Sequence, residues 1–477
     1  MQMLNGNTIH HPFPMTTPYW LQDAIFYQIF PDRFANGDPE NDPPNVQKWG
    51  APPTLFGFQG GDLRGIIQHF DYLLDLGINA IYLNPIFAAT STHRYNTSDY
   101  YKIDPKLGGM LDFHALIDLA HRNNARVVLD GVFNHTGRSF FAFNDLLENG
   151  ENSPYRDWFH VHHFPLDAFT PGEAIHFEGW WRHKSLPKLN FHNKQVRNYI
   201  LGVARYWIER GADGWRLDVP NEINDDAFWA EFRHVVKTAN RDACLIGEIW
   251  SADPRWANDT HFDGLMHYPV RDALLACWNG KDNVAHFADQ AEGLLKIYPR
   301  ENVYSMYVTL GSHDTERLAT MLGGRLDKIK LAFLFLFAYP GAPAVYYGDE
   351  IGLEGGKDPD SRRAFPWDPA EWKGDLHPWL QALIAARRGR SSLRRGDYVR
   401  LTVDEANGAY AFARILGGEK TLIALNISDK AVDIQIPVTT LWRENQTLRS
   451  LLDNRPFTVS DGKIAISLPA WGGIYIG

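Results

Sequence analysis

Short runs of aliphatic and aromatic residues recur along the chain, and stretches with helical apolar spacing separate them. Eight of the runs read as strands: AIFYQIF (24–30), AIYLNPI (80–86), RVVLDGV (126–132), GWRLDV (214–219), CLIGEI (244–249), GLMHYP (264–269), YVTLGSHD (307–314) and APAVYYGDE (342–350). Between most of them lie helical patterns such as LRGIIQHFDYLLDLG and VRNYILGVARYWIERG, each ending at a glycine placed like a C-cap. Eight strands alternating with helices over about 350 residues predict a (β/α)8 barrel of the α/β class.

The spacing predicts four regions. An N-terminal extension covers 1–17, and the barrel occupies 18–136 and 191–390. An insertion after the third strand runs from 137 to 190. Beyond residue 390 the pattern changes to short alternating runs such as YAFARI and DIQIPV with no long helix, which predicts an all-β sandwich over 391–477. Loops as long as the insertion are usually functional. Its HVHHF stretch fits no strong metal-ligand spacing.

Composition narrows the class. A 44% hydrophobic, 22% charged chain of 477 residues is an ordinary globular protein, too long for one core. The net charge of −10, without any Lys/Arg cluster, argues against a nucleic-acid partner. No apolar run is long enough to span a bilayer comfortably, and the first residues lack a secretory pattern, so neither a membrane partner nor export is expected. Two cysteines, Cys244 and Cys277, suit a reducing compartment and a cytoplasmic location. The aromatic load of 16 Trp, 20 Tyr and 28 Phe suits stacking on sugar rings, although a large core accounts for most of it.

In such a barrel, chemistry sits at the C-terminal ends of the strands. The third ends with Asp130, Asn134 and His135, the fourth carries Arg216 and Asp218, the fifth ends in Glu248 and the seventh in His313 and Asp314. A lone carboxylate at a strand end is often only a helix cap, but three on strands four, five and seven point to carboxylate chemistry of the kind glycoside hydrolysis uses. Strand alternation puts Arg216 and Asp218 on one face and Trp215, Leu217 and Val219 on the other. The guanidinium is therefore expected to lower the Asp218 pKa and keep a nucleophile ionised.

With DGVFNH, GWRLDV, GEIW, SHD, LPKLN and QGGDL in this order, the chain resembles the α-amylase family, glycoside hydrolase family 13, from about Ala24 to the C-terminus. The resemblance implies Asp218 as nucleophile, Glu248 as general acid/base and Asp314 as the residue gripping sugar hydroxyls. It implies that Arg216, His135 and His313 line the subsite of the attacked sugar, with His93 and Tyr95 as the stacking aromatic and its neighbour, and Asp358 and Arg362 as the non-reducing-side pair. LPKLN, DVPNE and NPIFAATSTHRY are similar to the cyclomaltodextrinase, maltogenic amylase and neopullulanase group. Glu222 stands where typical secreted α-amylases hold a histidine near a central calcium, which implies that this ion is missing here. Many members of that group carry an N-terminal β-module that builds their dimer, whereas here the barrel begins almost at once. A monomer or a homodimer is expected.

A different, structural Ca2+ is expected at NGDPEND and QGGDL, where Asn36, Asp38, Asn41, Asp42, the Gly60 carbonyl and Asp62 crowd hard oxygen donors together. An Asn/Asp/Gly turn without an ion is the plainer alternative. No organic cofactor is expected. Trp250 and Glu222 flank the expected cleavage point, and with the aromatic insertion they favour short or curved α-glucan oligosaccharides over starch chains. The leading reading is a retaining α-glucan hydrolase cutting α-1,4 bonds, with α-1,6 cleavage open. The alternatives are a transglycosylase or debranching enzyme on the same scaffold, then a non-catalytic binding relative.

Overall fold

The computed structural model describes residues 17–477; the expected extension, 1–17, lies outside them except for its last residue. All eight predicted strands form, each shorter than its apolar run: β1 (Phe26–Ile29), β2 (Ala80–Leu83), β3 (Arg126–Gly131), β4 (Gly214–Leu217), β5 (Cys244–Gly247), β6 (Gly264–Leu265), β7 (Tyr307–Thr309) and β8 (Ala342–Tyr346). They pair in parallel in the order β6-β5-β4-β3-β2-β1-β8-β7, and a parallel bridge between Met266 and Tyr307 closes the ring. This is the (β/α)8 barrel that the alternation predicts.

Strand alternation sorts the residues of β1 and Ile25 just before it into two layers. Ile25, Tyr27 and Ile29 pack outward under the helices, while Phe26 points inward with Ala80, Val128, Ile246, Met266, Tyr307 and Ala344 to fill the barrel floor. Helices follow most strands, among them Met110–Arg122, Lys194–Ile208 and Asp226–Ala239, but only a loop joins β5 to β6. The 63–77 pattern is two helices rather than one, broken at His69, whose ring stacks on Trp367 with centroids 3.6 Å apart. Gly77 ends the second in the left-handed region at φ 93°, as a C-cap glycine does.

The insertion folds over the barrel mouth around the helix Phe141–Asn149; a bridge from His135 to Lys188 ties it to the barrel, and one from Phe159 to Leu189 closes it internally. After the helix Leu376–Gly389 the chain enters an all-β domain, with one sheet of β9 (Asp397–Asp404), β10 (Ala409–Leu416), β11 (Glu419–Asn426) and a last strand, Gly473–Ile476. A two-stranded sheet, Val432–Pro437 with Lys463–Leu468, covers one face. In β10, Ala409, Ala411 and Ala413 face that sheet, while Tyr410 and Phe412 join the barrel's core. One strand thus serves two cores, and the domains share buried surface.

Candidate active site

The barrel interior changes from apolar to polar towards the C-terminal strand ends. Above the floor, Gln28, Tyr82, Asp130 and Arg216 are all buried. Arg216, 1% exposed, donates from Nη1 to Asp130 Oδ1 at 2.9 Å and to Asp218 Oδ1 at 3.1 Å, and its Nη2 lies 2.9 Å from Glu248 Oε2. One guanidinium therefore holds the expected nucleophile and the expected acid from strands four and five. The barrel tolerates a buried arginine because three carboxylates surround it.

Strand β4 ends at Leu217, earlier than alternation implies. Val219 turns into the left-handed region at φ 34°, leaves the face of Trp215 and Leu217, and donates its N–H to Glu248 Oε2 at 3.0 Å. A β-branched residue is strained there. The turn lets Asp218 and Glu248 face the mouth together. The other Glu248 oxygen accepts the Trp250 indole N–H at 3.2 Å, and Trp250 in turn stacks on Tyr268 with centroids 3.9 Å apart.

On the far side, His313 Nε2 lies 3.1 Å from Asp314 Oδ2, and its Nδ1 meets Gln28 Nε2 at 2.9 Å. Tyr95 stacks against His313 at 5.4 Å and on the other side against His93 at 5.9 Å, and its hydroxyl donates to Asp130 Oδ2 at 2.8 Å. Arg362 donates from Nε to the His313 carbonyl at 3.0 Å and pairs with Asp314 at 3.4 Å and Asp358 at 3.1 Å. Glu222 sits farther out, paired with Lys188 at 3.0 Å. The structure thus gathers Asp218, Glu248, Asp314, Arg216, His313, Tyr95, His93 and Arg362 into one bonded network.

The electrostatics correct one expectation. Burial pushes the Asp218 carboxyl well above the ordinary carboxylate range; Arg216 opposes this, and the charges of Glu248 and Asp130 add to it. Arg216 does not lower the net value, because burial outweighs its charge and the neighbouring acids oppose it. Asp314 is pushed up to about 7 by burial and by Glu248, against Arg362 and Arg216. It still shows 31% of its side chain to the cleft, where solvent tempers the effect. Burial lowers His93 and His135 to about 3 and holds His313 well below the ordinary value, so all three rings are neutral donors and acceptors.

The expected calcium loop splits in two. Asp62 caps the helix Leu63–Gln68 through Gly65 N–H at 2.6 Å and also accepts from Gly37 and Asp38 N–H and Asn41 Nδ2, which fills its four acceptor positions. Asp38 turns away to Glu40 N–H and Arg64. Asp62 and Asp38 are therefore spent on holding the loop. Asn36 and Asn41 each leave a buried Oδ1 without a partner, and Asp42 packs so closely on Gly60, at φ 83°, that a Cβ there would meet its Oδ1 at 2.2 Å. Those four residues fit a small hard cation. Among the described residues, no three His, Cys, Asp or Glu side chains are grouped to hold a metal, and that includes the HVHHF stretch.

Residues 28–387 match the family model described as the catalytic domain of alpha amylase. The chain belongs to the α-amylase family. Residues 400–475 match the C-terminal domain of maltogenic amylase. The chain is 42% identical to a cyclomaltodextrinase of Geobacillus thermopakistaniensis, over 97% of this chain and 78% of that one. It is also 42% identical to neopullulanase 2 of Thermoactinomyces vulgaris, over 90% and 74%. Among solved structures, a cyclic α-maltosyl-(1→6)-maltose hydrolase from Arthrobacter globiformis superposes with a TM-score of 0.88 at 37% identity, over 97% of this chain and 99% of that one.

Several residues in this α-amylase-family site escape the motif reading. Asp130, noted at its strand end, is the second anchor of Arg216 and also accepts the Tyr82 hydroxyl at 2.6 Å. Asn84 donates to the Tyr95 hydroxyl at 3.0 Å and accepts from Gln28 at 3.0 Å. The signal was present: Tyr82 and Asn84 are two apart in an apolar strand, the same arrangement that singles out Arg216 and Asp218. Lys188 had no such signal, because its partner Glu222 lies 34 residues away.

Proposed function

We propose that the protein is a retaining glycoside hydrolase that cleaves α-1,4 glucosidic bonds in short or cyclic α-glucans. The observation that carries this reading is Arg216, which holds Asp218 and Glu248 on the two terminal nitrogens of one guanidinium at the barrel mouth. In the reaction, Asp218 attacks the anomeric carbon and forms a glycosyl ester as the glucosidic C–O bond breaks, while Glu248 gives its proton to the leaving oxygen. Glu248 then takes a proton from water, the water oxygen bonds to the same carbon, and the ester bond to Asp218 breaks. Asp314, tethered by Arg362 and His313, grips hydroxyls of the distorted sugar. Neutral His135 and His313 donate hydrogen bonds without adding charge beside the developing oxocarbenium ion.

We further infer a structural Ca2+ held by Asn36, Asn41, Asp42 and the Gly60 carbonyl; when bound, it would pin the loop after β1. Both cysteines are buried and free, which suits a reducing compartment, and we infer a cytoplasmic enzyme. Among the described residues, no helix is long and apolar enough to cross a membrane. The test is chromatography of products from maltotriose, β-cyclodextrin, pullulan and soluble starch, with kcat/KM compared at equal glucosyl concentration. Higher kcat/KM on β-cyclodextrin than on starch is expected; no cleavage of any of the four overturns the reading, and a clear preference for starch overturns its oligosaccharide part.

A further inference from the structure

Gln28 follows Phe26 by two residues in β1, so alternation points its side chain into the barrel, one layer above the apolar floor. In register it lies between Tyr82 of β2 and Tyr346 of β8, and its amide is fully buried. The amide Nε2 lies 3.0 Å from Asn84 Oδ1 and 2.9 Å from His313 Nδ1, while Oε1 has no hydrogen-bond partner. An orphaned buried acceptor costs stability, and an apolar side chain of the same length would avoid it. What an apolar side chain could not supply is the pair of N–H groups.

The surrounding network sets the direction of those bonds. Asp130 pairs with Arg216 through Oδ1, and its Oδ2 accepts from the hydroxyls of Tyr82 at 2.6 Å and Tyr95 at 2.8 Å. Each hydroxyl has one hydrogen, which is thereby used, so towards Asn84 both can only accept. Asn84 therefore turns its Nδ2 to them, at 3.3 and 3.0 Å, and its Oδ1 to Gln28. Facing that oxygen, Gln28 must present its NH2 group, which leaves the second N–H for His313 Nδ1. A ring nitrogen that receives an N–H carries no proton of its own, and the ring is neutral because burial holds its pKa well below the ordinary value. The His313 proton is thus on Nε2. Tyr95 requires the same placement from the other side, since its oxygen lies 2.5 Å from Nε2 and, with its hydrogen on Asp130, can only accept there. Nε2 is also 3.1 Å from Asp314 Oδ2, so the ring donates towards that carboxyl.

Building on the hydrolase reading above, we propose that Gln28 is a positioning residue that fixes the tautomer of His313 and, through it, the grip of Asp314 on the sugar at the transition state. With the proton on Nδ1 instead, a bare Nε2 would face Asp314 Oδ2, acceptor against acceptor, and would draw the Tyr95 hydrogen away from Asp130. Gln28 excludes that state from behind the ring. Being fully buried, it does so without reaching the cleft.

The test compares wild type with Gln28→Met, which keeps the length and removes both donors, and with Gln28→Glu, which keeps the shape and offers Nδ1 an acceptor. Nitrogen NMR of the histidine-labelled, sugar-free protein reads the tautomer, and the His313 signals are those that vanish in His313→Gln. Wild type should show a bare Nδ1 and a protonated Nε2, Gln28→Met a mixture of the two tautomers, and Gln28→Glu a protonated Nδ1. With maltotriose, kcat of Gln28→Met should fall roughly tenfold, about the worth of one hydrogen bond, while KM stays within about twofold, because the weakened contact belongs to the transition state. A general loss of structure would not produce that split. Either variant alone decides the outcome should the other not fold. A wild-type ring protonated at Nδ1, a variant whose His313 signals match wild type, or a variant kcat within about twofold of wild type overturns the proposal. A wild-type protein that cleaves no glucan overturns the hydrolase reading instead, and the NMR comparison still decides whether Gln28 fixes the ring.

Discussion

Replacing Arg216 with methionine tests the central electrostatic argument, because the side chain is fully buried and of similar length to its substitute. Removing one partner of a buried ion pair costs about 3–5 kcal/mol, a large share of a folding free energy on the order of 5–15 kcal/mol. The loss is unevenly divided among the three acids. Asp130 keeps the Tyr82 and Tyr95 hydroxyls, and Glu248 keeps the Val219 and Trp250 N–H groups. Among the described residues Asp218 has Arg216 as its one side-chain donor, with 9% of its side chain exposed, so it bears most of the change. It responds by holding its proton more tightly.

That response fixes the sign of the pH dependence. A carboxyl whose folded pKa is raised contributes stability that is complete below its unfolded value of about 4 and is lost as pH rises through the folded value. The Asp218 value is already raised in the wild type and rises further without the guanidinium. Equilibrium unfolding in urea at pH 5 and pH 8 should therefore show Arg216→Met destabilised by about 3–5 kcal/mol at pH 8 and by markedly less at pH 5. Adding Asp218→Asn should recover part of the loss at pH 8. A variant within about 1 kcal/mol of wild type at pH 8, or one more destabilised at pH 5 than at pH 8, would refute the view that the guanidinium offsets part of the cost of burying the Asp218 charge.

Three shorter predictions address chemistry and metal. Glu248→Gln should lower turnover of maltotriose by about 10² to 10⁴-fold while calorimetry still shows sugar binding; near-normal turnover would remove Glu248 from the acid role. NMR of the first product from maltotriose should show the α anomer, and an initial β anomer contradicts direct attack by Asp218. Chelation should lower the melting midpoint by a few degrees, as loss of a ligand bound only to the native state does, and added Ca2+ should restore it; an unchanged midpoint counts against an ion at Asn36, Asn41 and Asp42.

The barrel was legible because its signal is periodic: eight apolar runs spaced by helical patterns leave little choice of architecture. The ends of elements were less so. The break at His69 depends on Trp367, some three hundred residues away, and no local window contains that contact. The acids at the barrel mouth were legible as polar residues in apolar strands, yet the same pattern overstated what Arg216 does for Asp218. Spacing shows that two side chains share a face, but not how many others compete for them; Asp130 and Glu248 reach Arg216 from neighbouring strands. At the expected calcium loop, a count of oxygen-bearing residues could not separate Asp62, which is spent on backbone N–H groups, from Asn36, whose oxygen is left over.

Costs concentrate at one end of this molecule, and the rest of the fold explains how they are tolerated. Three acids share one buried cation, Val219 is held at φ 34°, Trp181 and Arg182 are held in the left-handed region, and several donors around the mouth lack partners. Each is worth a few kcal/mol at most, but together they approach the net stability of a domain. The opposite end of the barrel interior is apolar, and β10 feeds Tyr410 and Phe412 into the core between the barrel strands and the helices. The C-terminal domain thereby buries hydrophobic area on the barrel without touching the acids. On that view its contribution to catalysis is indirect: it stabilises a scaffold whose working end is built from groups that would rather be in water.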